Sequence, residues 1–195
     1  MTDEILLEKA CRGDEAAFLA LYECHRASVF RFAYRMLGSA ALAEEVAHDC
    51  FLSLVSRPAR FDPSRGAALR TYLYAAARNL SAKHFRRHAG DVPVEDVEGD
   101  LVAPERDEPL RQVLAAELSE EVRRAVAALP PLQREVVVLF EYEELSLAEV
   151  AAVVGADTGT VKSRLHRARQ GLRRALAPYF KSGGGVAPAE KVYLR

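Results

Sequence analysis

Residues 146–174 read SLAEVAAVVGADTGTVKSRLHRARQGLRR, two segments of helical period on either side of a glycine. Its first part has helical spacing, with Leu147, Val150, Ala151 and Val154 on one face. Ser146 stands three residues before Glu149, as a capping box requires. Gly155 provides the residue that most easily turns a helix end left-handed, and Asp157 is placed to cap a second helix. In that second helix Val161, Leu165, Ala168, Leu172 and Leu176 share a face, which the spacing predicts to be buried. The opposite side carries Ser163, His166, Arg167, Gln170 and Arg174, with Lys162 and Arg173 on a flank. Residues 159–174 hold six Lys or Arg and no acid, in a chain whose formal net charge is -1. A short helix, a glycine turn and a longer helix with a basic outer face form the layout of a helix-turn-helix whose second helix enters the DNA major groove. A merely solvated basic helix would have no need of the caps and the turn.

Outward from this stretch the period stays helical, and no segment alternates as a strand does, so the expected fold is all-α. Between Asp14 and Leu37 the apolar residues Phe18, Leu21, Tyr22, Val29, Phe32 and Met36 recur at helical spacing, and Gly38 is placed to end the helix. Ser39 can cap the next helix, which runs to about Ser56 before Pro58. A loop with Pro63 and Gly66 leads to a third helical segment ending near His88. Residues 91–108 then hold eight acids, one base and two prolines, the composition of a linker. Helical period resumes near Leu110, and Pro130 and Pro131 open another helix. The organisation expected is a helical domain over 1–89, an acidic linker over 90–109, a second helical domain over 110–180, and a mobile tail over 181–195 that begins with three glycines after Lys181 and Ser182.

Residues 60–88 form a second basic segment, with seven Lys or Arg against the single acid Asp62. Here aromatics are interleaved: Phe61, Tyr72, Tyr74 and Phe85. Rings that stack on unpaired bases and cations that hold phosphates are what single-stranded nucleic acid requires. Leu73, Ala76 and Leu80 read as core; for Phe61 and Tyr72 core and base contact both remain open. In residues 41–55 Leu42, Val46, Cys50 and Leu54 are expected to face inward. Glu45, His48, Asp49 and Leu52 are then left on an acidic, partly apolar face suited to a partner helix.

Several function classes are excluded. No apolar run approaches the roughly 20 residues that span a bilayer, and the start MTDEILLEKACRGDE is acidic where a secretory signal is basic and then apolar. The expectation is a cytoplasmic protein with no membrane insertion. Cys11, Cys24 and Cys50 show no CxxC spacing and read as reduced thiols. His84 and His88 stand at i, i+4, but Arg86 and Arg87 between them would repel a cation. With no catalytic set or phosphate loop either, no metal, no cofactor and no enzymatic activity are expected.

The segment LPPLQREVVVLFEYEELSLAEVAAVVGADTGTVKSRLHRARQGLRRAL resembles the fourth domain of bacterial extracytoplasmic-function (ECF) sigma factors. AEEVAHDCFLSLVSRPARFDPSRGAALRTYLYAAARNLSAKHFRRH is similar to their second domain, and together the likeness covers nearly all of residues 8 to 178. The resemblance implies a promoter-specificity subunit that binds core RNA polymerase, reads duplex DNA at the -35 element, and reads and melts the -10 element as a single strand. It places Lys162, Ser163, His166 and Arg167 at base-facing positions, and Thr160, Arg164 and Arg169 nearer phosphates. It also places Tyr72, Asn79, Lys83, Arg86 and Arg87 on the helix that meets the -10 strand, and Phe61 to Gly66 on a loop that pockets a flipped base. An anti-sigma inhibitor is a further partner that the resemblance implies. This chain departs from the family pattern where Tyr72 and Val55 replace Trp, Lys83 replaces Asp and His48 replaces Gln.

A tether of about 20 residues reaches roughly 65 Å at about 3.3 Å per residue. Promoter elements about 17 base pairs apart are separated by roughly 58 Å at about 3.4 Å per pair, so one chain can touch both. The alternative reading is a free-standing helix-turn-helix regulator that binds duplex DNA without polymerase; it leaves the aromatic and basic segment unexplained.

Overall fold

The computed structural model describes residues 2–56, 61, 68–87 and 120–182. The linker, residues 62–67 and residues 183–195 of the tail lie outside them, and so does His88. Among the described residues every regular element is helical: α1 Asp3–Cys11, α2 Glu15–Leu37, α3 Ala40–Ser56, α4 Leu69–Arg87, α5 over 120–127, α6 Pro131–Val137, α7 Leu147–Val154 and α8 Thr158–Ser182.

The helix ends follow local chemistry. Asp14 caps α2 by accepting from the Ala17 N–H at 3.0 Å, which satisfies one of the donors a helix start leaves open. Gly38 ends α2 at φ 72, its N–H donating to the Tyr34 carbonyl at 2.8 Å. Ser39 Oγ then accepts from the Leu42 N–H at the start of α3. Pro131 occupies the first turn of α6, where its missing N–H leaves nothing unsatisfied. Beyond Val137 the helix widens into a π turn over Val138–Tyr142, in which the Glu143 N–H reaches back to the Val138 carbonyl at 3.0 Å.

In the N-terminal half α1, α3 and α4 pack around α2, whose Leu21, Val29, Phe32, Ala33 and Met36 are buried. α1 was not legible as a separate helix. It is tied to α2 by His25 Nε2 and Asp3 Oδ2, 2.8 Å apart. Asp3, Cys24 and His25 bring possible metal-ligand atoms within 4.8 Å of one another, and the hydrogen bond between Asp3 and His25 is a helix-docking contact. Cys11 and Cys24 are exposed free thiols. Cys50 is a core residue whose thiol is pushed up to about 12, by burial first and Asp49 second. Leu42, expected inward, is only half-buried, whereas Val46, Cys50 and Leu54 do face the core.

In the C-terminal half α6 and α7 pack on α8. The expected inner face of α8 holds: Val161, Leu165, Ala168 and Leu176 are buried and Leu172 packs against the core at its edge. α8 continues through Ser182 rather than stopping at Phe180, so Lys181 and Ser182 belong to the helix and not to the tail. The two halves touch. α4 lies against α7, and α2 against α6 and the π turn, so their buried side chains form one continuous cluster.

Candidate nucleic-acid interface

The turn between α7 and α8 is fixed by three local devices. Ser146 Oγ accepts from the Glu149 N–H while the Glu149 carboxylate accepts from the Ser146 N–H at 2.8 Å, a complete capping box. These Ser146 hydrogen bonds hold the Glu149 carboxyl below its ordinary range. Gly155 ends α7 at φ 65, a conformation that costs an L side chain about 1–2 kcal/mol. Asp157 accepts from the Thr160 N–H at 2.8 Å and from its hydroxyl at 2.7 Å. Its own carboxyl is lowered by those bonds. Thr160 is thereby tied to the cap at the start of α8.

Behind this turn, α8 presents Lys162, Ser163, His166, Arg167, Gln170, Arg173 and Arg174 to solvent. His166 Nε2 and Gln170 Nε2 lie 3.0 Å apart, one turn along the face. The two arginines expected nearer phosphates behave differently. Arg164 is half-buried and donates to Glu135 at 3.2 Å. Arg169 donates to Glu141 Oε1 at 2.6 and 3.1 Å and lies over the Phe140 ring. Both are held by acids of the helix before α7, one in α6 and one in the π turn that continues it. The sequence motif alone did not show these partners, which are 29 and 28 residues distant.

On α4 Asn79 and Lys83 are exposed, and Tyr72 is half-buried. Arg86 and Arg87 lie in the last turn of α4. Phe61, left open between core and base contact, is core: it is 7% exposed and packs edge-on against Tyr72 with ring centroids 5.6 Å apart. A ring so covered offers no free face for stacking, so Phe61 supports Tyr72 instead. Tyr74 is also core, packed against Phe32 and donating its hydroxyl to Glu143 at 2.7 Å. Burial first, then the bond to Glu143, keeps its phenol protonated well above the ordinary tyrosine range. The aromatics of this segment are thus shared between the surface and the core. On α3 Glu45, His48 and Leu52 are exposed and Asp49 is half-exposed. Glu45 also lies 3.9 Å from the buried His84, so the His of the i, i+4 pair is turned towards a carboxylate.

A set of contacts between the halves was not legible in the sequence. Glu143, 6% exposed, accepts from Arg35 at 3.2 Å and from Tyr74, with Arg31 3.9 Å away. Glu135, 4% exposed, accepts from Arg78 Nε at 2.7 Å on one oxygen and from Arg164 on the other. Arg70 lies 3.8 Å from Glu149. Arg35 also covers the Tyr142 ring, 4.3 Å from its centroid, and burial lowers its pKa from the ordinary arginine value. Arg134 crosses the same boundary, donating to the Met36 carbonyl at 2.7 Å.

A capped helix-turn-helix with a basic outer face, joined to a second basic helix that carries an exposed Asn and Lys, defines a DNA-binding transcription protein. Residues 21–90 match the family Sigma-70 region 2, and residues 119–172 match Sigma-70, region 4. The ECF RNA polymerase sigma factor SigW of Bacillus subtilis is 30% identical over 87% of this chain and 94% of its own length. The RNA polymerase sigma-H factor of Pseudomonas aeruginosa is 31% identical over 92% of this chain and 96% of its own. Among solved structures, CnrH in complex with the cytosolic domain of CnrY is similar with a TM-score of 0.65 and 25% identity, covering 91% of this chain and 99% of that one. The sigma factor RpoE of Bartonella quintana, solved with the anti-sigma factor NepR, shares the fold with a TM-score of 0.61 and 23% identity over 82% of this chain and 96% of that one. The chain belongs to the ECF sigma factors of the sigma-70 family. Its function is that of an alternative sigma factor in promoter recognition, and the free-standing regulator is not favoured.

Proposed function

We propose that the protein divides promoter reading between its two basic helices. α8 enters the major groove of the -35 element with Lys162, Ser163, His166 and Arg167 towards base edges, while Thr160, Arg164 and Arg169 lie nearer the backbone. α4 meets the unpaired -10 strand with Tyr72, Asn79, Lys83, Arg86 and Arg87, and Phe61 backs the Tyr72 ring. The division falls at 1–89 for the -10 half, 90–109 for the linker and 110–180 for the -35 half. Core RNA polymerase docks on Glu45, His48, Asp49 and Leu52 of α3, where an exposed leucine sits among acids. The chain acts in the cytoplasm, where the polymerase is, and positions DNA without catalysing a reaction itself. An anti-sigma protein is a further partner; the binding of CnrH to a second protein supports this.

The observation that carries the reading is the outer face of α8. Seven exposed polar or basic side chains stand behind a turn fixed by a capping box, a left-handed glycine and an Asp cap. In vitro transcription with core polymerase on a library of genomic fragments tests it. The expected result is a discrete set of start sites that appear only when the protein is added. An unchanged transcript profile refutes the proposal.

A further inference from the structure

We propose that Asp3, Cys24 and His25 form a binding site for a divalent transition-metal ion of the zinc type, which fastens α1 to α2. The site stands apart from the promoter reading and uses none of its residues. Asp3 lies in the first turn of α1, and Cys24 and His25 are neighbours in the middle of α2. A carboxylate oxygen, the thiol sulfur and an imidazole nitrogen, one from each residue, all lie within 4.8 Å of one another. Spacing along the chain did not announce the set, because Asp3 is 22 residues from His25 and an adjacent Cys and His match none of the usual ligand intervals.

The geometry is close to what zinc requires. Bonds of about 2.0–2.2 Å to nitrogen and oxygen and about 2.3 Å to sulfur, at tetrahedral angles, set roughly 3.4 Å between the N and O ligands and roughly 3.6 Å from either to sulfur. Asp3 Oδ2 and His25 Nε2 are 2.8 Å apart, so that pair opens by roughly half an ångström and the thiol closes in by roughly 1.2 Å at most. The side chains that must move have room to do so: Asp3 is one-third exposed and Cys24 is exposed, while His25 is buried. A mixed sulfur, nitrogen and oxygen set suits zinc better than magnesium or calcium, which take oxygen ligands. Three protein ligands leave a fourth position to solvent. Neighbouring charge agrees, since Glu4 and Glu23 adjoin the ligands in sequence. Arg26, the cation next to His25, is turned onto Glu44 of α3 at 2.9 Å and over the Tyr22 ring. On binding, the Cys24 thiol gives its proton to solvent, the His25 ring keeps a proton on Nδ1, and the Asp3 carboxylate has none to lose. The ion adds a cross-link to the packing of Leu6, Leu7 and Ala10 that docks α1.

Cobalt(II) is the probe, because a thiolate ligand gives it a charge-transfer absorption and a tetrahedral site gives it an intense visible band. Titration of the full chain, reduced with a phosphine, is expected to saturate at about one ion per chain with both bands, and zinc is expected to displace the cobalt. Cys11→Ser is expected to keep both bands. Cys24→Ser, at an exposed position, is expected to remove the thiolate band and weaken zinc binding against a chelating indicator by more than about 100-fold, the upper end of what outer partners of a metal ligand contribute. Asp3→Asn is expected to weaken it by at least about tenfold. Circular dichroism confirms that the variants are folded. Hydrogen exchange at fixed pH reads the fastening: with free zinc at about ten times Kd, the α1 amides are expected to slow about tenfold, the factor by which that excess stabilises the bound form, and not to slow in Cys24→Ser. A wild-type chain without the thiolate band, or a band that survives in Cys24→Ser, overturns the site. Zinc affinity unchanged in Asp3→Asn, or α1 exchange unchanged by zinc, overturns the bridge between α1 and α2.

Discussion

Arg169 and Glu141 offer a test in which two substitutions act in opposite directions. Arg169 sits beside the exposed face of α8 but donates twice to Glu141 Oε1, at 2.6 and 3.1 Å. To hold a phosphate it must leave that carboxylate or share itself with it. Glu141→Gln removes the competing charge, so Arg169 gains up to one phosphate contact; Arg169→Ala loses whatever contact it makes. Each phosphate contact changes the slope of log K against log salt by about 0.9. Between 50 and 200 mM salt, a fourfold range, one contact therefore alters the loss of affinity by a factor of about 3.5. Fluorescence anisotropy of preformed holoenzyme on labelled promoter fragments across this range reads the slope. Glu141→Gln is expected to steepen it and to tighten binding at low salt, and Arg169→Ala to flatten it, each about equally on matched and altered -35 sequences. Unchanged slopes in both variants, or an effect confined to one sequence, would refute the placement of Arg169 beside the backbone.

Other expectations follow from single residues. Arg167→Ala is expected to weaken binding to the matched -35 sequence by about 1–3 kcal/mol, the usual range for a base contact, with little change on altered sequences, as measured by the same anisotropy assay. Glu144 has φ 53 without being a glycine, so Glu144→Gly is expected to relieve backbone strain and raise stability by about 1 kcal/mol, or about 2–4 °C in Tm for a chain of this size, seen by calorimetry. Asp49→Lys with Glu45→Lys is expected to weaken pull-down of core polymerase while thermal stability changes little, and undiminished recovery would remove α3 from the docking surface. The Glu149 carboxyl is held below its ordinary value, so its contribution is full above the unfolded-state pKa and is lost as pH falls through the lowered one. Hydrogen-exchange protection of the α7 amides, taken relative to the intrinsic rate at each pH, should accordingly fall on acidification below the ordinary carboxylate range, and Glu149→Gln should blunt that dependence.

The part of the fold that depends on neighbours along the chain was legible in the sequence. Ser146, Glu149, Gly155 and Asp157 act within three or four residues of where they stand, so their spacing alone marks the helix-turn-helix. The inner face of α8 was visible for the same reason. What was hidden depends on distant partners. Phe61 and Tyr74 sit in a basic segment and resemble base-stacking residues there. Tyr74 is fixed by Glu143, 69 residues away, and no local pattern announces that pairing. Arg35, 108 residues from Glu143, and Arg78, 57 residues from Glu135, have partners that no local pattern announces. α1 escaped notice because it is nine residues long and acidic at its start, which leaves little periodicity to recognise. It docks through buried Leu6, Leu7 and Ala10 together with the pair Asp3 and His25.

The central claim is that this chain brings polymerase to a promoter and opens it there. Permanganate footprinting reads this directly, because it modifies thymines only where the duplex has melted. On a promoter identified by transcription, thymines near the start site are expected to become reactive with holoenzyme and to stay unreactive with core polymerase alone or with this protein alone. Thymines that remain unreactive in the holoenzyme would contradict the account.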